Sequence, residues 1–279
     1  MLEQIYDEWL AKKAIDEQRE EKISISGLGG CIRKLIMMDR KTYKFLPHDK
    51  YTLRTFNHGY LIEHDLAKAI ESSGRMVAKQ EFVTYTNPNG VSISGSPDWI
   101  VYNPAMKRNH LVDCKTAKES SFQYLDKESN EIKEDYKYQT TTYFWGKDKD
   151  GVALKDKYKL NPSVIISTVS KDNTLFYEAS FNAIDFKVNI DRKLDEIALA
   201  RTKTELPPEM TTWNKKIKGV ETPTNEPRFP CFAIQNSTKT RKPCDCKIWC
   251  NYLPNCTNLF ERYKQTCKDM GFKLDDRLK

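Results

Sequence analysis

Apolar and polar positions alternate through two stretches of this chain and recur at helical spacing through six others. The first ten residues, Met-Leu-Glu-Gln-Ile-Tyr-Asp-Glu-Trp-Leu, read as a short amphipathic helix running into the charged segment 12–22. A Ser/Gly-rich loop over residues 23–30 then leads into a helix start at Cys31-Ile-Arg33. A longer helix is predicted over residues 53–72, with Gly74 placed as its C-terminal cap. Residues 75–85 and 91–102 have strand periodicity and are separated by the turn signal Asn87-Pro-Asn-Gly90, so they are predicted to pair. Residues 110–116 give a third strand after a turn near Asn103-Pro104.

Further along, residues 118–135 are polar and acidic and read as a loop or flap before a helix over 136–145. A second hairpin is predicted from 163–169 and 174–181, and then a helix over 184–202 whose inner face is supplied by Val188, Leu194, Ile197 and Ala198. Residues 203–243 are proline-rich and weakly periodic, and are predicted to be a long connection delivering a cysteine cluster, with a closing helix over 259–270. This order of elements predicts an α/β fold with a mixed central sheet. Three regions are expected: an N-terminal helical region over 1–50 carrying Cys31, a core over 51–202, and a tail over 203–279. The tail's cysteine cluster is expected to pack back on the N-terminal region.

Composition narrows the class. The chain has 279 residues, 39% hydrophobic and 30% charged. No apolar run approaches the ~18–20 residues of a membrane span. The N-terminus lacks the basic start and apolar middle of a signal peptide, so a cytoplasmic, reducing setting without a membrane partner is expected. Lys and Arg outnumber Asp and Glu by 46 to 39, and the excess of +7 suits a polyanionic partner without demanding one. Eight cysteines are many for such a setting, and Cys244, Cys246, Cys250 and Cys256 lie within thirteen residues. Metal ligation is therefore expected in preference to disulfides.

The chemistry concentrates between Gly95 and Lys115. Asp98 follows Gly-Ser-Pro at the head of one apolar strand, and Asp113 lies in the next, two residues before Lys115. Two carboxylates on neighbouring strands can share a hard divalent cation. Strand alternation points Lys115 to the side that Asp113 faces, where an ammonium can orient an attacking water. Asp-x-Lys alone is common and also suits the wet face of an ordinary hairpin. Its weight comes from what flanks it: Gly59, Glu63 and His64 on the preceding helix, and Gln139 and Tyr143 one turn apart on the following one.

With these motifs in this order, the chain resembles the RecB-like branch of the PD-(D/E)XK nuclease superfamily. It is most similar to the iron–sulfur exonucleases of that branch, CRISPR-associated and phage-encoded members among them. Gly-x-Pro-Asp98 and Asp113-x-Lys115 match the catalytic strands, Gln139-x-x-x-Tyr143 matches the Gln-x-x-x-Tyr motif, and Cys31-x-Arg33 with a late cysteine triplet matches the cluster-bearing subset. The resemblance implies a restriction-endonuclease-like core, a mixed sheet flanked by helices, with a helical region stapled by the cysteines. It implies Mg²⁺ or Mn²⁺ held by Asp98, Asp113, the backbone carbonyl of Cys114 and a first-helix ligand.

That ligand is Glu63 or His64. Glu63 shares a helical stripe with Gly59, Leu66, Ala67 and Ile70, whereas His64 is rotated about 100° away. Glu63 is favoured. Gln139 and Tyr143 are expected to hold the DNA backbone or orient the site, and Tyr136, Tyr138, Phe144 and Trp145 are either base-stacking or core residues.

The cysteine spacing departs from the family pattern. Cys31, Cys246, Cys250 and Cys256 would bind a four-iron–four-sulfur (4Fe-4S) cluster, with Cys244 as an alternative ligand. The rival is a zinc site of Cys244, Cys246, Cys250 and Cys256. The implied activity is exonucleolytic cleavage of DNA with free single-stranded ends. The alternatives are a structure-specific endonuclease and a non-catalytic nucleic-acid-binding subunit. No Gly-rich phosphate loop is present, so a separate helicase would unwind DNA, and recombination or CRISPR-adaptation proteins are the other expected partners.

Overall fold

The alternating residues 76–117 fold, in a computed structural model of the chain, into strands of two sheets rather than one. The structure describes residues 2–16, 23–43, 46–122, 132–171, 175–207, 213–217, 220–224, 232–236, 243–248, 253–270 and 272–278, with the backbone alone for 213–248. Helices α1 (Leu2–Asp16), α2 (Ile32–Arg40) and α3 (Lys50–Ser72) come first. Strands β1 (Met76–Lys79), β2 (Val83–Thr86), β3 (Ser92–Gly95), β4 (Trp99–Asn103) and β5 (Arg108–Ala117) follow. Next are α4 (Glu119–Phe122), α5 (Glu134–Trp145), α6 (Leu154–Lys157), β6 (Ser163–Ser170), β7 (Phe176–Asn182) and α7 (Lys187–Thr202). The tail holds β8 (Trp213–Ile217), β9 (Val220–Thr224), β10 (Phe232–Asn236), β11 (Pro243–Ile248) and α8 (Thr257–Asp269).

The chain divides into two compact units, Met1–Gly29 with Tyr51–Leu199 and Gly30–Lys50 with Ala200–Lys279. The first contains a five-stranded sheet of order β1-β4-β5-β6-β7. Only β5 and β6 run parallel, and the crossover between them carries α4, α5 and α6. Thr116 alternates with Asp113 and Lys115 along β5, so its side chain lies on the opposite face of the sheet. Helix α3 approaches that face closely: a Cβ on Gly59 would come within 3.1 Å of Thr116 Oγ1. Helix α5 covers the Asp113 face. Tyr136 packs there against Ile166 of β6 and Ala179 of β7. This is the mixed sheet flanked by helices that the PD-(D/E)XK resemblance implies.

Two features of the first unit differ from the sequence reading. Each long strand of the first hairpin breaks in two, with β1 pairing β4 in the main sheet and β2 pairing β3 in a separate ribbon. The breaks fall at Gln80, whose φ is +50°, and at Ser96-Pro97, where proline offers no amide to a ladder. The turn between them forms as read, with Asn87 Oδ1 accepting the Val91 N–H at 2.8 Å and Gly90 at φ +80°. On α7 the inner stripe is Ile190, Leu194 and Ile197, all fully buried. Val188 is 69% exposed and Ala198 is half-buried.

The second unit is built on a cluster of Met37, Leu46, Leu253, Cys256, Leu259, Tyr263 and Cys267. Arg201 grips Asp39 with two hydrogen bonds of 2.8 and 2.9 Å. The stretch 203–243, expected to be a long connection, holds the hairpin β8–β9 and the first strand of a second, β10–β11, whose other strand carries Cys244 and Cys246. The stretch expected to be a flap opens with α4, and residues 123–131 lie outside the described residues. Among the described residues no helix is long and apolar enough to cross a membrane.

Candidate active site

The register of β4 on β5 pairs Trp99 with Val112, which sets Asp98 beside the start of the Asp113–Lys115 segment. Asp98 Oδ2 accepts the backbone N–H of Cys114 at 2.7 Å. Asp113, wholly buried, lies with Lys115 on the α5 face, and the lysine Nζ is 2.6 Å from Asp113 Oδ2. That contact is an ion pair set off the axis of a hydrogen bond, and among the described residues Oδ2 has no well-directed donor.

Gln139 completes the arrangement from α5. Its amide nitrogen donates to Asp113 Oδ1 at 3.2 Å and its oxygen accepts from Lys115 Nζ at 3.1 Å. An amide is suited to this bridge because one end donates to the carboxylate and the other accepts from the ammonium. One turn on, Tyr143 OH lies 3.5 Å from Gln139 Nε2. Gly95 allows that ring in, since a Cβ there would sit 3.2 Å from Tyr143 Cε1. Tyr136, one turn before Gln139, places its ring centroid 5.2 Å from Lys115 Nζ. Sequence reasoning treated Tyr136 only as a stacking or core residue. Its i−3 spacing from Gln139 was the available signal for a ring against the lysine.

Of the two first-helix candidates, the structure brings Glu63 to the carboxylates. Glu63 is half-buried, and its pKa is raised by burial and then by the Asp113 charge. His64 is exposed and stacks on Tyr60 at a centroid distance of 6.2 Å. Asp98 is pushed up to about 7, first by burial and then by Asp113, and burial raises Asp113 as well. Burial works to lower Lys115, but the adjoining Asp113 outweighs it and holds the ammonium above its usual range. Tyr143 and the Cys114 thiol are each pushed up to about 12 by burial, so both stay protonated.

Asp98 and Asp113 thus outnumber one ammonium in a largely buried corner, with the charge of Glu63 felt at its edge, an excess of negative charge that a divalent cation would neutralise. The donors are hard oxygens, which suit Mg²⁺ or Mn²⁺. The under-satisfied Asp113 Oδ2 is an acceptor such an ion would use. Among the described residues, no three His, Cys, Asp or Glu side chains stand as a ready metal-holding group, so the fit rests on Asp98 and Asp113 with Glu63 at their edge.

The other aromatic residues of α5 belong to the interior. Tyr138 is buried edge-on to Phe186, Phe144 is buried, and Trp145 Nε1 donates to the Ala183 carbonyl at 3.4 Å.

The cysteine set is only partly in view. Cys31 and Cys256 are the N-caps of α2 and α8 in the second unit, and Arg33 Nη2 donates to the Asn255 carbonyl at 3.2 Å. Cys244 and Cys246 lie on β11, and Cys250 is outside the described residues. No cluster site is evident among the described residues.

Comparison with known proteins finds a family model that matches part of the chain. Residues 32–150 match the profile of the YqaJ-like viral recombinase domain, a PD-(D/E)XK nuclease family that fits the RecB-like resemblance. No curated protein sequence matches the chain. A solved structure titled "Crystal structure of SSO0001" is similar over 70% of this chain and 86% of its own, at 16% identity and a TM-score of 0.43.

Proposed function

We propose, from the premise that residues 32–150 match a PD-(D/E)XK nuclease family, that the chain is a divalent-metal-dependent deoxyribonuclease attacking DNA from free ends. The observation that carries this reading is the Asp113–Lys115–Gln139 triangle, built on a wholly buried Asp113 and adjoined by the Asp98 carboxylate. A structural hairpin has no need of such an arrangement.

Asp98 and Asp113 would hold the cation, with Glu63 and the Cys114 carbonyl as further donors. When bound, it supplies Lewis-acid polarisation of the scissile phosphate and eases deprotonation of the attacking water. The chain's own contribution to the attack is Lys115. Its ammonium, held between Asp113, Gln139 and the Tyr136 ring, donates a hydrogen bond that aims the water in line with the leaving oxygen. The same charge offsets negative charge developing on the phosphate. Gln139 keeps the ammonium and the carboxylate in register, and the neutral Tyr143 phenol braces Gln139 or donates to a DNA phosphate.

For the second unit the same reading assigns Cys31, Cys246, Cys250 and Cys256 to a four-iron–four-sulfur cluster. Cys31 and Cys256 cap helix N-termini, and the Arg33–Asn255 bond joins the residues that adjoin those two termini. Anaerobic purification tests it: a brown protein supports the cluster, and a colourless one with stoichiometric zinc replaces it.

End-labelled linear and covalently closed circular DNA, incubated with Mn²⁺ and either wild type or the Asp113→Ala variant, test the activity. Release of label from linear DNA alone, absent in Asp113→Ala, is the expected result. Nicking of the circle would make the enzyme an endonuclease, and no cleavage of either substrate would leave a binding subunit. Glu63→Gln is expected to abolish cleavage and His64→Ala to reduce it less than about tenfold; the reverse order would move the metal ligand to His64.

A further inference from the structure

We propose that α1 and α3 together present a stacking surface for single-stranded DNA that leads into the candidate active site. The inference takes its ligand from the nuclease reading and locates the strand's path. Tyr6 and Trp9 of α1 stack with centroids 5.8 Å apart at an interplanar angle of 21°. Lys13, one turn on, sets its ammonium 5.4 Å from the Trp9 ring and 4.8 Å from the ring of Tyr60 on α3. The result is a continuous row of Tyr6, Trp9, Lys13 and Tyr60. Its three rings are 41%, 49% and 51% exposed.

Nothing in the fold requires these rings to face outward. Leu10 of α1 is buried, so the helix already has an inward anchor, and half-exposing three large aromatics forgoes the burial they would contribute in a core. The row is also braced. Asn57 donates to Tyr6 OH at 3.0 Å and accepts from Lys13 at 3.5 Å. Arg54 pairs with Asp7 and Glu3 at 2.7 and 2.8 Å, which offsets the carboxylates nearest the rings.

Exposed rings with a cation among them suit bases that stack and phosphates that pair, whatever the sequence. The placement supplies the direction. Tyr60 stands three residues before Glu63 on the same helix, and Glu63 lies in the field of Asp113 and Lys115. Tyr60 therefore stands about one helical turn, roughly 5 Å along α3, from Glu63 at the edge of the candidate site.

The test uses the full chain in EDTA and a fluorescent oligothymidine, read by anisotropy. The Trp9→Ala/Tyr60→Ala pair is expected to weaken binding about tenfold or more, with Trp9→Phe/Tyr60→Phe within about twofold of wild type, because the phenyl ring preserves stacking. Blunt duplex binding is expected to change much less. Oligonucleotide binding unaltered in the alanine pair overturns the proposal. A wild-type dimer that the alanine pair converts to monomer, at unchanged oligonucleotide affinity, would also overturn it and make the surface a contact between two copies. The two readings fail separately. Ring-dependent binding by a wild type that cleaves nothing sinks the nuclease assignment alone. Cleavage with ring-independent binding sinks the stacking surface alone.

Discussion

Asp98 is tied to Cys114: its Oδ2 accepts the Cys114 backbone N–H at 2.7 Å, which links the carboxylate ahead of β4 to the strand that carries Asp113. The bond needs an acceptor, not a charge. Asp98→Asn keeps an oxygen there and removes a carboxylate that burial and Asp113 push up to about 7. In EDTA at mildly alkaline pH the wild-type group is ionised at a cost, so the variant is expected to melt higher, by roughly 2–4 °C per kcal/mol relieved. Its Mn²⁺-dependent cleavage should fall more than about a hundredfold, since a cation ligand is gone. Loss of stability along with activity would show that the charge holds the fold, against this account.

Lys115 carries the opposite burden. Its side chain is 20% exposed and its ammonium is 2.6 Å from a carboxylate with no exposure at all. Lys115→Met keeps the stem and deletes the charge, leaving Asp113 uncompensated, a change that costs about 3–5 kcal/mol in comparable buried pairs. Thermal melts should show a lower midpoint in EDTA and a larger rise on adding Mn²⁺ than wild type shows, because the added cation takes over the neutralising role. Equal Mn²⁺ shifts in the two proteins would place the ion away from Asp113.

Gly95 acts on the site through Tyr143. A Cβ at this position would meet Tyr143 Cε1 and Ile25 Cβ at 3.2 Å, close enough to push the ring off an already long 3.5 Å contact with Gln139. Gly95→Ala and Tyr143→Phe are each expected to slow cleavage several-fold without unfolding the protein. If both act through the same contact, the double variant should be no worse than the poorer single one. Additive losses would separate the glycine from the tyrosine.

The parts of this site that were legible in the sequence follow from strict local periods. Asp113 and Lys115 share a strand face, Gln139 and Tyr143 share a helix face, and Glu63 rather than His64 falls on the stripe of Gly59 and Leu66. What the chain does between elements was harder to read. The split of the first hairpin turns on Gln80 in a left-handed conformation and on Pro97. Both fall in polar runs, Lys79-Gln80-Glu81 and Gly95-Ser96-Pro97-Asp98, which read as readily as a wet stretch of one continuous strand as a break between two. The hairpins at 213–248 were missed because backbone pairing such as Trp213 with Thr224 sets their register, while prolines and lysines obscure any side-chain pattern. The Lys115–Tyr136 contact joins a strand to a helix across the sheet face, and single-sequence periodicity carries no such term.

Helix α7 tests the same distinction in the core. Val188 was read as an inner-face residue, yet the helix begins only at Lys187 and its buried stripe starts at Ile190 and continues through Leu194 and Ile197. Asp191 sets that phase: it accepts from Tyr85 OH at 2.5 Å and pairs with Lys187 at 2.7 Å, which holds the helix against β2 with residue 188 turned to solvent. Leu194→Ala should therefore cost about 2–5 kcal/mol, the range for emptying a filled core position. Val188→Ala should stay within about 0.5 kcal/mol, as an exposed substitution does. Urea denaturation of the two variants measures both. A Val188→Ala loss as large as that of Leu194→Ala would mean that the helix sits rotated from the phase described.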